Sequence, residues 1–148
     1  MKKLLQTLLT ASLVIVSLPE LNVSAQRPGV ITGSLSYPTD SGLPRMIVCA
    51  ESATSKSIHC TDKRVVSRRR GGKVSYKLTV PAGSYYVFAT LVNGEESVEA
   101  YWGYRAYYSE FVICGLSVNC PSHEPVKVTL RAGQTLTGID PGDWYVDN

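Results

Sequence analysis

Along residues 26–148, apolar and polar positions alternate with a period of two over short stretches, and no stretch sustains the 3.6-residue period of an amphipathic helix. In Tyr76-Lys-Leu-Thr-Val80 and Val126-Lys-Val-Thr-Leu130 the apolar side chains fall on one face and Lys or Thr on the other, as in a sheet with one face toward water. The pattern predicts eight strands: Gly29 to Tyr37, Arg45 to Ser52, Ser57 to Asp62, Val74 to Val80, Ser84 to Val92, Ser109 to Cys114, Val126 to Leu130 and Thr135 to Ile139. Several of these runs are bounded by Gly, Pro, Asn or Ser. Two sheets with one apolar face each must bury those faces together, so the fold class is all-β, a sandwich of about seven to eight strands. Pro81-Ala82-Gly83 joins two runs with the chemistry of a tight turn and is expected to close a hairpin.

Residues 1–25 follow a different pattern. Met1-Lys2-Lys3 gives a short positive start, Leu4 to Leu18 is mainly apolar, and a polar stretch closes with Val23-Ser24-Ala25. The apolar run is shorter than the roughly 20 residues that span a bilayer, and small residues stand where signal peptidase requires them. The segment reads as a secretory signal peptide cleaved after Ala25, leaving residues 26–148 as a single domain with no stable transmembrane segment. The other reading is an uncut membrane anchor. Cleavage implies a secreted or periplasmic protein.

At 148 residues, 44% hydrophobic and 18% charged, the chain has room for one domain, which excludes two-domain enzymes and multi-span membrane proteins. Cleavage removes Lys2, Lys3 and Glu20 from a chain of formal charge +3 and leaves +2, a poor balance for a nucleic-acid partner. Charge is uneven along the sequence. Lys63, Arg64, Arg68, Arg69, Arg70, Lys73 and Lys77 cluster together, whereas acids outnumber bases from Glu95 onward.

All four cysteines, Cys49, Cys60, Cys114 and Cys120, lie beyond the signal segment, where export allows oxidation, so two disulfides are expected. Four cysteines permit three connectivities. If Ser52 pairs with Ser57 across a polar turn, the same register sets Cys49 opposite Cys60, within bridging reach, and leaves Cys114 to close a small loop with Cys120. A metal site from Cys114, Cys120, His123 and possibly His59 is the competing arrangement, but Cys-x5-Cys-x2-His lacks a zinc-binding spacing. No metal and no cofactor is assigned.

Val30-Ile-Thr-Gly-Ser-Leu35, Pro44 ahead of a strand, Tyr76-Lys-Leu-Thr-Val-Pro-Ala-Gly-Ser-Tyr-Tyr-Val87 and Val126-Lys-Val-Thr-Leu130 together resemble the carboxypeptidase regulatory-like domain. The resemblance covers most of residues 29–130 and implies a transthyretin-like Greek-key β-sandwich acting as a scaffold. Two stretches depart from the family pattern: a long basic connection from Asp62 to Lys73, and an aromatic-rich insertion from Asn93 to Ser109. Binding residues collect on such loops, which tolerate insertion while the sandwich carries stability.

The insertion places Tyr101, Trp102, Tyr104, Tyr107 and Tyr108, five of the thirteen aromatics, within eight residues. Exposed rings could stack on sugar faces or anchor a protein partner; the alternative is that they seal an open end of the core. Arg68, Arg69 and Arg70 could hold phosphate, sulfate or carboxylate groups, or form an ordinary solvated loop. Asp140 and Asp143 lack the spacing of a calcium loop and are expected to organise turns while Trp144 packs back on the sandwich. No nucleophile elbow or phosphate-binding glycine motif occurs, and His59 and His123 are the only imidazoles. The expected function is a non-catalytic binding module for a carbohydrate, a cell-envelope component or a protein. A small secreted hydrolase or hydrolase inhibitor is the alternative, and it would need His59 or His123 gathered with a carboxylate and a nucleophile in one cleft.

Overall fold

The computed structural model describes residues 27–38, 42–66, 73–92, 104–120 and 122–145. The signal segment, residues 1–25, lies outside them. Among the described residues, nine strands form two sheets. The four-stranded sheet runs β4 (Arg64–Val66), β5 (Val74–Val80), β1 (Gly29–Leu35), β9 (Thr135–Leu136); β1 is antiparallel to β5 and parallel to β9. The five-stranded sheet runs β3 (Ile58–Thr61), β2 (Met46–Ser52), β6 (Gly83–Leu91), after which β7 (Arg105–Tyr107) and β8 (Lys127–Leu130) share the free edge of β6 end to end.

The alternation legible in the sequence sets the inner faces. Ile31 and Leu35 of β1, Tyr76, Leu78 and Val80 of β5, Met46, Val48 and Ala50 of β2, Tyr85, Val87 and Ala89 of β6, and Val128 and Leu130 of β8 are buried in one cluster between the sheets. Lys77, Thr79, Lys127 and Thr129, at the intervening positions, are exposed. The arrangement is β-sandwich-like, two sheets enclosing one apolar cluster.

Three sequence expectations change. Pro81-Ala82-Gly83 closes no hairpin: both edges of β5 are taken by β1 and β4, so the chain turns a corner into the other sheet and pairs with β2. The Tyr85 hydroxyl donates to the Pro81 carbonyl at 2.9 Å and clasps that corner. Ser109 to Cys114, rich in strand-forming residues, instead holds a single helical turn, α1 (Glu110–Ile113). There the chain has left the edge of β6, and the Ile113 and Cys114 amides bond back to the Ser109 and Glu110 carbonyls. The two stretches read as loops each contribute a strand, β4 and β7.

Both disulfides follow the register argument. Cys49 faces Cys60 across β2 and β3 and is bonded to it, the Ser52 amide donates to the Ser57 carbonyl, and Cys114 is bonded to Cys120. With both sulfurs of the second pair joined to each other, neither is a thiolate that could bind zinc.

After β9 the chain folds back over β1. The Ile139 amide donates to the Thr32 carbonyl, Asp140 Oδ1 accepts from the Ser34 amide at 2.6 Å, and the buried Tyr76 hydroxyl donates to the Ile139 carbonyl at 2.6 Å. Trp144 meets Tyr37 edge to face and donates from Nε1 to the Ser36 carbonyl at 2.8 Å. Burial, with the Asp140 charge second, pushes the Tyr76 phenol well above its ordinary value of 10.0. Tyrosine is charged when deprotonated, so above that pH the unfolded chain releases a proton that the folded chain retains. Stability is therefore expected to be full below about pH 10 and to fall above it by about 1.4 kcal/mol per pH unit from this residue. Urea unfolding at pH 9, 10 and 11 measures the slope. Tyr76→Phe should flatten it, while costing about 1–2 kcal/mol at neutral pH for the lost bond.

Candidate functional site

The outward positions of the five-stranded sheet build a second surface. Parity sends Ile47, Cys49 and Glu51 of β2, Tyr86 and Phe88 of β6, and Arg105 and Tyr107 of β7 to this side, and the register aligns them in rows: Cys60, Cys49, Phe88, Tyr107, and beside it Ile58, Glu51, Tyr86, Lys127. The first row is apolar. Ile47, Cys49 and Phe88 are buried there, with Ile58, Val92 and Tyr107 packed around them.

The second row is polar and opens into a groove of about 200 Å³ lined by Glu51, Tyr86, Tyr107, Glu124 and Pro125. Arg105, opposite Thr90, reaches across the first row, its guanidinium 4.5 Å over the Phe88 ring, with Nη1 3.4 Å from Glu51 Oε2 and 3.2 Å from the Tyr107 hydroxyl. Lys56 approaches the other Glu51 oxygen at 3.7 Å. The groove thus offers two phenol rings, carboxylate acceptors at Glu51 and Glu124, and cationic donors beside them. Drug-sized ligands occupy roughly 300–1,000 Å³, so this space suits a smaller unit such as one sugar ring or one side chain.

Next to the groove, Ser109, His123 and Asp143 come together. Asp143 and Ser109 are fully buried. The Ser109 hydroxyl donates to Asp143 Oδ2 at 2.6 Å, His123 Nδ1 lies 2.9 Å from the same oxygen, and the Tyr145 amide reaches Asp143 Oδ1 at 3.4 Å. The Phe111 ring lies tilted against the imidazole, centroids 4.5 Å apart. These are the residue types of a hydrolytic triad in the wrong order: the carboxylate stands between hydroxyl and imidazole, and the hydroxyl's proton goes to the carboxylate. The nucleophile–base bond that activates a serine is replaced by a tie. It fastens the C-terminal segment to the neck of the excursion between β7 and β8, which also closes through the Ser109–Pro125 bridge and the Glu110 amide on the Glu124 carbonyl.

The predicted binding residues separate. Tyr107 lines the groove, and Tyr108, one residue on, packs on the inner core. Tyr104 is 70% exposed. Tyr101, Trp102, Arg68, Arg69 and Arg70 lie outside the described residues. His59 sits on β3 with its ring edge-on to Tyr85. Sequence reasoning missed Glu51, Tyr86, Glu124 and Pro125; the parity of Glu51 with Cys49 and of Tyr86 with Phe88 marks them as outward, but only the β2–β6 register makes them neighbours. No protein-family model, curated protein or solved structure matches the chain.

Proposed function

We propose that this protein is an exported, non-catalytic β-sandwich module that binds a glycan on the outer face of its five-stranded sheet. The observation that carries this reading is the groove, where two tyrosines stand among carboxylate acceptors and the Arg105 guanidinium. Rings that meet the C–H face of a sugar, with acceptors and donors at the rim for its hydroxyls, are the chemistry that a neutral polyol requires. The two disulfides support an oxidising compartment, hence a secreted or periplasmic location. The serine tied to Asp143 supports a binding role over the hydrolase alternative.

The scaffold belongs to this reading too. β1 lies between β5 and β9, and β2 between β3 and β6, so the chain crosses repeatedly between sheets as in a Greek-key sandwich, in keeping with the transthyretin-like resemblance.

A glycan array followed by calorimetric titration tests the proposal on the chain from Gln26, beside Tyr86→Ala/Tyr107→Ala. Loss of the two rings should weaken binding about tenfold or more, read under conditions where the urea curve shows the variant still folded, because Tyr107 also packs against Phe88. Equal affinity of the two proteins would reject the groove.

A further inference from the structure

Five large apolar side chains are exposed among the described residues, and three of them, Ile113 (58%), Leu116 (45%) and Val118 (93%), stand on the excursion between β7 and β8. Single exposed aliphatics are ordinary on any surface, but here three stand within six residues of one short excursion. Tyr145, a fourth, lies beside its base, 6.1 Å from the Phe111 ring. The excursion is held in one shape by the Cys114–Cys120 bond and by left-handed backbone at Gly115 and Leu116.

Two features narrow the occupant of this tip. From Phe111 to His123 the chain carries no Asp, Glu, Lys or Arg; the only acids are at the neck, Glu110 and Glu124. Part of the tip's backbone is paired within the tip: the amides of Ile113, Cys114, Gly115, Leu116 and Cys120 donate to carbonyls of Ser109, Glu110, Val112, Phe111 and Ser117, and the Asn119 amide faces the Ser117 hydroxyl. Entry into an apolar phase is costly mainly through unpaired backbone groups and charges, and this segment brings neither among those donors. Protein-binding hot spots are enriched in Trp, Tyr and Arg, and the tip has none of them.

We propose that the excursion is a membrane-docking loop: Ile113, Leu116 and Val118 enter the acyl boundary of a zwitterionic bilayer, with Tyr145 at headgroup level. Three aliphatic tips bury less hydrocarbon than one myristoyl chain, whose own binding is marginal, so the attachment is weak and reversible. The acidic neck disfavours anionic lipid.

Co-sedimentation of the oxidised chain from Gln26 with sucrose-loaded vesicles tests this, using phosphatidylcholine alone and phosphatidylcholine with one-third phosphatidylglycerol. The expected result is binding to phosphatidylcholine at millimolar lipid, weaker binding to the anionic vesicles, a loss of about tenfold or more in Val118→Asp, and retention in Val118→Leu. Val118 is almost wholly exposed, so neither variant disturbs packing. Unchanged binding by Val118→Asp would overturn the proposal. So would binding to anionic vesicles alone, which would assign docking to the basic stretch, or no binding to either vesicle, which would leave a protein pocket as the tip's partner.

Discussion

Replacing Gly33 by alanine is expected to destabilise the protein by about 3 kcal/mol or more. Gly33 shares the inner parity of Ile31 and Leu35, and the returning C-terminal backbone occupies the space its side chain would fill. An added Cβ would overlap the Ile139 carbonyl and come within 2.8 Å of Asp140 Oδ1. Backbone cannot rotate aside as a side chain can. The segment must lift, and the bonds from Tyr76 to the Ile139 carbonyl and from the Ser34 amide to Asp140 are strained with it. Gly29→Ala provides the comparison, because the atoms met there belong to the side chain of Leu130. Urea unfolding of both variants should rank Gly33→Ala well below Gly29→Ala; equal midpoints would mean that the C-terminal return contributes little.

The second large effect is expected at Asp143. Asp143→Ala leaves the buried Ser109 hydroxyl without its acceptor and removes the anchor of His123 and of the Tyr145 amide, at a cost of about 2–4 kcal/mol. Because His123 is partly exposed and can turn to water, the upper part of the buried-ion-pair range does not apply. Ser109→Ala removes one hydrogen bond and should cost only about 1 kcal/mol. The pair is read by chemical denaturation and by amide exchange. Asp143→Ala should loosen the neck at Glu110 and Val126, whereas a uniform loss across all strands would show that Asp143 supports the whole core instead.

Much of the fold follows from period-two alternation, because a half-buried strand must place every second residue toward the core. Tyr76, Leu78 and Val80 could therefore be assigned inward from sequence, and the shared register of Ser52–Ser57 and Cys49–Cys60 carried the first disulfide. Alternation carries no information on which sheet a strand joins. The turn at Pro81-Ala82-Gly83 looks the same whether it closes a hairpin or rounds a corner, and only the occupied edges of β5 decide. Phe111-Val-Ile113 has strand-forming residues, yet the chain has left the edge of β6 there and the Ile113 and Cys114 amides turn back on Ser109 and Glu110, giving α1. The aromatic insertion was visible as a cluster, but its rings take different surroundings: Tyr107 on the outer face, Tyr108 against the core.

The tie among Ser109, His123 and Asp143 was not legible at all. Its members are 14 and 20 residues apart in succession, with no local pattern joining them, and tertiary folding alone brings them together. The same holds for the groove, where Glu51 arrives from β2 and Glu124 from the neck of the excursion, beside Tyr86 and Tyr107.

The central claim is that ligand engages the outer face of the five-stranded sheet. Amide chemical shifts recorded while the chain from Gln26 is titrated with the neutral oligosaccharide retained best on the array test it most directly. The expected changes gather at Glu51, Tyr86, Arg105, Tyr107 and Glu124 and disappear in Tyr86→Ala/Tyr107→Ala. Changes centred instead on Arg68 to Arg70, or on the four-stranded sheet, would contradict it.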